Sequence, residues 1–329
     1  MARLPVIVVA VVLGGEWRAP AGEIRLDRCE DRVDVTVDGE PFTSYLFAGH
    51  RKPILFPILG PAGTGLTRQW PMVRGVAGEP HDHPHHESLW FAHGSVNGLD
   101  FWGSHPEATK PESRNGPRVE QTTLSVTGPG QPAAIDAENR WMKPGGEVVC
   151  TDVRRLEFAG DAQARTIDFT ITIRADHGPV TFGDTKEGTM ALRVHPALQP
   201  KDAHGSAGAT GRITDSEGRT DADVWGQAAR WVDYSGTVEG RVQGVAVFDH
   251  PTNLRHPARW HARGYGLVAA NPFGLHEFTG ASPGAGDHTV AAGESLTLRY
   301  RFVFHLGDAA AAALGDRWTA WAARTVKPR

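Results

Sequence analysis

The sequence predicts an all-β protein, one large β-sandwich of stacked antiparallel sheets with a single C-terminal helix. Three observations carry this. Apolar and polar residues alternate with a period of two in segments spread over the whole length, the pattern of strands half-buried on one face. Glycine and proline number 39 and 23 among 329 residues, a turn-rich composition that disfavours a helix bundle or coiled coil. Only one stretch, near the C-terminus, has helical spacing.

The elements follow in order. Val33, Val35 and Val37 alternate with Arg32, Asp34 and Thr36, and Asp38-Gly39 offers a hairpin turn into a strand at 42–47. Ile167, Phe169, Ile171 and Ile173 alternate with Thr166, Asp168, Thr170 and Thr172. Leu296, Leu298, Tyr300, Phe302 and Phe304 form a third clear series. Further strands are predicted near 118–126, 147–158, 180–184, 189–194, 229–234, 242–248 and 267–270, each bounded by Gly, Pro, Asn or Asp. The helix is predicted over 309–323, capped by Asp308, with Leu314, Trp318 and Trp321 on one face as core packing.

Residues 4–15 form an apolar run, LPVIVVAVVLGG, about half the length a membrane span requires. Arg3 precedes it and Ala19-Pro20-Ala21 follows, a small-x-small pattern. Residues 1–22 therefore read either as an export signal, implying an exported or periplasmic protein, or as a buried edge strand. No other apolar stretch approaches membrane length, so no membrane embedding is expected. Residues 23–329 read as a single domain, because the polar loops at 105–116 and 201–210 are too short to link two domains. Lys plus Arg number 34 and Asp plus Glu 38, for a formal charge of −4 with no basic run. That excludes a nucleic-acid partner. Cys29 and Cys150 are the only cysteines, which excludes a disulfide framework and a cysteine-based zinc ribbon and leaves one bridge open.

The chain holds 16 histidines, and they cluster. Residues 78–103 read GEPHDHPHHESLWFAHGSVNGLDFWG, with His105 just beyond. In an extended chain His81, His83 and His85 would share one side and His86 the other, with Pro84 able to bend the run. Such histidines suit proton transfer, since imidazole titrates near neutrality. They equally suit a divalent metal, with His81, His83 and His93 as ligands. Gly75, five residues, His81-x-His83, three residues, Glu87, six residues and Gly94 resembles the first metal-binding motif of cupins. The second cupin motif does not follow. Trp90, Phe91, Phe101 and Trp102 add the apolar surface of a pocket.

Two further polar groups sit at the ends of predicted strands. Phe182 to Gly188 reads FGDTKEG and places Asp184, Lys186 and Glu187 between glycines, where a Lys beside a Glu shifts both acidities. Downstream, Trp260-His261-Ala262-Arg263 and Asn271-Pro272-Phe273-Gly274 interleave aromatics with planar polar groups, as a sugar-binding cleft requires.

The segments HDHPHHESLWFAHGSVNGLDFW, FGDTKEGTMALR, GRITDSEG, WVDYSG, GVAVFDHPTNLRHP and WHARGYGLVAANPFG occur in this order. Together they resemble a bacterial family labelled methane oxygenase PmoA-like and otherwise a domain of unknown function. The resemblance covers most of the chain from about residue 23. It implies a galactose-mutarotase-like supersandwich, carbohydrate chemistry, and a pathway shared with an oxidoreductase of the glucose-fructose type. Glu87 departs from that family, in which a basic residue more often follows the paired histidines.

The expected protein is thus a carbohydrate-active enzyme, an epimerase, lyase or hydrolase working by proton transfer on a sugar or oxidised glycoside. His83 and His86 would supply acid and base, Glu187 the opposing carboxylate, and Lys186 would polarise a carbonyl. His85, His93, Asn97, Trp102, Asp184, Arg193, Trp260, His261 and Asn271 would bind the substrate. The competing expectations are a metal-dependent cupin-like enzyme using the 81–93 cluster and a non-catalytic carbohydrate-binding protein.

Overall fold

The computed structural model describes residues 22–130, 132–200 and 208–324. The stretch read as export signal or edge strand lies outside them, up to residue 21, as does most of the loop at 201–210.

Two eight-stranded antiparallel sheets are stacked face to face. The first runs Ile24–Arg28, Arg32–Val37, Glu40–Leu46, Ile54–Ile58, Leu89–His93, Gly188–Arg193, Leu267–Asn271, Arg259–Trp260. The second runs Arg212–Asp215, Trp231–Val238, Arg241–Asp249, Ser295–Leu306, Ala164–Arg174, Val148–Gly160, Ala133–Met142, Arg118–Thr127. Val180–Phe182 pairs with His288–Val290 in a separate ribbon. The protein is therefore all-β, as the alternation predicts, and every segment predicted as a strand contains one.

The local reasons are visible in the burial. In Arg32–Val37 the three valines are buried while the intervening side chains are partly exposed. Asp38 and Gly39 both have positive φ, 53° and 82°, the turn geometry that matches the twist of a two-residue hairpin. In Ala164–Arg174 the isoleucines and Phe169 point into the core. Phe91 of the first sheet meets Trp141 of the second edge-on, with ring centroids 6.1 Å apart.

The C-terminal helix spans Leu314–Ala322 and is shorter than predicted. Asp308 caps a preceding turn, accepting the Ala311 amide at 2.9 Å, and Ala313 at φ 49° separates that turn from the helix. Leu314 and Trp321 pack on Trp231, Ala246, Phe248 and Val303, on the face of the second sheet turned away from the first. This cover explains why Ser295–Leu306 loses its alternation beyond Tyr300 and is buried on both faces. Two helices of one turn, Pro111–Arg114 and Leu275–Thr279, carry no periodicity a sequence could reveal. Both cysteines are free, Cys150 buried in the core and Cys29 partly exposed. No helix among the described residues is long and apolar enough to cross a membrane.

Candidate functional site

Leu89–His93, Gly188–Arg193 and Leu267–Asn271 are adjacent interior strands of the first sheet, with Trp90 opposite Ala191 and Ala191 opposite Ala269. Side chains alternate along a strand, so Phe91, Met190 and Leu192 face the second sheet while Trp90, Ala191 and Arg193 share the outer face. The histidine segment folds over this outer face.

That segment is not extended. His83 has φ 44° and its carbonyl accepts the His86 amide at 3.0 Å, so the chain turns at Pro84. The expectation of alternate histidines on one side is corrected by this turn. His83 instead stacks on His86 with centroids 4.8 Å apart, and His85 meets His86 edge-on at 4.4 Å. His81 leaves the group and stacks on Trp70 at 4.2 Å.

Two fully buried arginines hold the turn. Arg193 donates to both carboxylate oxygens of Asp82, at 3.0 and 3.2 Å, and to His86 Nδ1 at 3.0 Å. Its guanidinium lies 4.6 Å from the centre of the Tyr265 ring. Arg68 ion-pairs with Asp82 and donates to the carbonyls of Asp82 and His83 at 3.0 and 2.9 Å. Burial would raise the Asp82 pKa, but the bond to His83 and the charges of Arg193 and Arg68 hold it well below the usual carboxylate range.

The tautomers follow from donor chemistry. A guanidinium has no acceptor, so His86 Nδ1 is the acceptor of the Arg193 bond and the ring proton sits on Nε2. That Nε2 is buried with no protein partner. Burial, reinforced by the charges of His85 and Arg193, pushes the His86 pKa well below its ordinary value and keeps it neutral. His83 has the opposite arrangement. Its Nδ1 donates to the ionised Asp82 at 2.8 Å, which leaves the lone pair on Nε2 in the neutral ring. The His83 side chain is 42% exposed and stacks on Tyr265 at 5.4 Å.

Lys186 and Glu187 lie on the loop that enters Gly188–Arg193. Lys186 Nζ is 2.6 Å from Glu277 and 3.5 Å from Glu187. Burial raises the Glu187 pKa; Lys186 opposes the rise, Glu277 adds to it, and His83 is close enough to oppose it as well. The histidine turn and the Lys186–Glu187 loop thus act on each other electrostatically across the same face.

The other residues singled out in the sequence hold this arrangement together. His261 donates from Nδ1 to the Lys186 carbonyl at 3.0 Å and accepts Arg263 on Nε2 at 3.2 Å. Burial, with Arg263 adding, pushes its pKa down to about 3. Asn271 donates to the Thr185 carbonyl at 2.8 Å and accepts the Phe273 and Gly274 amides. Asp184 accepts the amides of His276 and Gly286, each at 2.9 Å. Asn97 bridges the Pro179 carbonyl and the Thr181 amide. Trp260 is buried and donates to the Ala229 carbonyl at 2.8 Å. Trp102 is buried against Trp90 and the His85 and His86 rings.

His93 is separate from the turn. It packs against the mutually stacked rings of Phe182 and Phe273 and donates from Nε2 to the Gly183 carbonyl at 2.7 Å. Its pKa is pushed down to about 4 by burial. A Cβ on Gly188 would stand 2.2 Å from His93 Nδ1, so only glycine fits there. His81, His83 and His93 therefore do not converge, and among the described residues no three His, Cys, Asp or Glu side chains are gathered to hold a metal ion.

Sequence reasoning missed Asp82, Arg68, Tyr265, Lys52 and His50. Lys52, almost fully buried, lies 3.1 Å from Glu87 Oε2, and His50 Nδ1 lies 2.7 Å from Glu87 Oε1. Burial alone would raise the Glu87 pKa; Lys52 and His50 bring it down to about 2. The residue that departs from the family pattern is thus an ionised, paired carboxylate.

The two stacked sheets and the polar cluster on one outer face define a large antiparallel β-sandwich protein with a candidate acid–base site. The chain belongs to the family of unknown function DUF6807, which matches residues 32–319. No curated protein matches it. Among solved structures it is similar to a β-arabinopyranosidase at 11% identity and a TM-score of 0.38, covering 82% of this chain and 39% of that one. A protein described as an aldose 1-epimerase from Escherichia coli K12 is 12% identical with a TM-score of 0.33, covering 87% of this chain and 99% of that one. A galactose mutarotase related enzyme from Lactobacillus acidophilus is 9% identical with a TM-score of 0.34, covering 86% of this chain and 97% of that one. Likenesses this low transfer no residue role, and none of them bears on the PmoA label.

Proposed function

We propose that this protein is a carbohydrate-active enzyme that works by proton transfer, with His83 as base and Glu187 as acid. One observation carries the reading: His83 is oriented by Asp82 through Nδ1, is open to solvent, and stands within electrostatic reach of a carboxyl whose pKa is raised. An imidazole anchored to a carboxylate through Nδ1 has its basic nitrogen fixed toward the substrate side. A carboxyl whose pKa is raised holds its proton to higher pH and so suits the role of the matching acid. The pair suits epimerisation, β-elimination or hydrolysis of a sugar or oxidised glycoside.

Two assignments shift from the sequence expectation. His86, buried with Nδ1 taken by Arg193, positions the His83 ring by stacking on it and does not meet the substrate. Lys186, shared between Glu277 and Glu187, holds the acid in place.

The test is turnover of a panel of glycosides and 3-keto-glycosides by wild type, His83→Asn and Glu187→Gln. Loss of at least about 100-fold in both variants is expected from the size of acid–base contributions. Full turnover in both variants overturns the assignment. Binding of panel members by wild type without turnover of any overturns it in favour of a carbohydrate-binding protein.

A further inference from the structure

Beside the Lys52–Glu87 pair, a cleft of about 300 Å³ opens between His50, Arg51, Arg74, Glu87, His105 and Met72. Its charges are mostly cancelled in place. Glu87 at the base is neutralised by Lys52 at 3.1 Å, and Arg74 is ion-paired with Glu107 at the rim. Arg51 is different. Its Nη2 donates to the Arg114 carbonyl, its Nε is buried with no partner, and among the described residues it has no acidic partner. The cleft therefore carries one uncompensated positive charge.

The two histidines are fixed in opposite senses. His105 Nδ1 accepts the Glu107 amide at 3.1 Å, which places its proton on Nε2, toward Glu87 and 3.8 Å from it. His50 donates from Nδ1 to Glu87 at 2.7 Å, so in the neutral ring the lone pair sits on Nε2. The His50 side chain is 21% exposed and lines the cleft. A guanidinium beside an imidazole acceptor matches a ligand with a carboxylate at one end and a hydroxyl at the other. The volume lies at the small end of ligand pockets and holds one sugar ring.

We infer that this cleft is a binding site for a small sugar acid, with Arg51 on the carboxylate and His50 Nε2 accepting a hydroxyl. The inference stands apart from the His83–Glu187 reading and shares no residue with it.

Isothermal titration of the full chain with glucuronate, glucose and inorganic phosphate tests it. Saturable glucuronate binding at least tenfold tighter than glucose is expected. Arg51→Met should weaken glucuronate at least tenfold, and His50→Gln, which keeps a donor to Glu87 but moves the acceptor away from the imidazole Nε2 position, at least threefold. His83→Asn should leave binding unchanged, which separates this site from the proposed catalytic one. Glucuronate binding no tighter than glucose overturns the inference whatever the variants do. Phosphate binding as tight as glucuronate also overturns it, because a site for any anion makes no use of His50. Should Arg51→Met fail to fold, the His50→Gln titration and the wild-type comparison decide.

Discussion

Arg193 Nη2 lies 3.0 Å from Asp82 Oδ1, an ion pair between residues 111 positions apart. It fastens the histidine turn to an interior strand of the first sheet, since Arg193 is the last residue of Gly188–Arg193. The same carboxylate orients His83. One side chain therefore fixes both where the turn sits and which nitrogen of His83 is basic.

Replacing Asp82 with Asn should separate these two roles. An amide can present its NH2 to His83 Nδ1 and so stabilise the wrong tautomer. The expected outcome is a fall in kcat of roughly 100-fold or more with KM little changed. Steady-state kinetics on the substrate found in the panel assay check it. A change below about threefold would leave Asp82 a purely structural anchor.

As the proposed acid, Glu187 should set the alkaline side of the pH profile. An acid must be protonated to act, so turnover should fall as pH rises through the raised Glu187 pKa. In Glu187→Gln the remaining activity should lose that alkaline limb. An unchanged pH–rate profile in the variant would remove Glu187 from the proton-transfer step.

Lys52 and Glu87 form a pair with both side chains at most 2% exposed. Removing one partner strands the other charge, so Lys52→Met should destabilise the fold by about 3–5 kcal/mol. Lys52→Met combined with Glu87→Gln should recover part of that loss. Chemical denaturation of the single and double variants measures both.

Acid stability depends on histidines that are buried neutral. Burial lowers the pKa of His93 and His105 to about 4 and of His261 to about 3, from an ordinary 6.5. The unfolded chain binds these protons first, so their stability contribution is complete above pH 6.5 and is lost as pH falls toward 4. The slope is about 1.4 kcal/mol per pH unit for each histidine. Glu87, lowered from 4.5 to about 2, gives up its own contribution only below that window. Thermal melts should be flat from pH 8 to 7 and fall steeply below pH 6. A melting temperature constant down to pH 5 would contradict the neutral assignment.

The fold was legible where period two was undisturbed, as in Val33–Val35–Val37 and Ile167–Phe169–Ile171–Ile173. It was hidden where prolines interrupt, as in Ile54–Ile58 with Pro57, or where charge dilutes the pattern, as in Ala133–Met142. The density of histidines singled out the segment that folds over the outer face of the first sheet, but period two could not foresee a left-handed His83 turning the chain. Arg193 was read as a substrate ligand and proves to be the buried clamp of that turn. Lys52 and His50 gave no local signal, because Glu87, which gives them meaning, lies 35 and 37 positions away. Asp82 sat inside the quoted motif and was passed over, since a carboxylate among histidines reads as solvated surface until its two arginines are seen.

Trp90 and Trp102 stand with ring centroids 5.1 Å apart and planes inclined at 54°, against the face of His86. Two indoles this close and this tilted share their excited states, so the site contains its own chromophore pair. Because His86 packs against both rings, unseating the histidine turn should alter the circular-dichroism couplet of this pair, a change read without substrate or label.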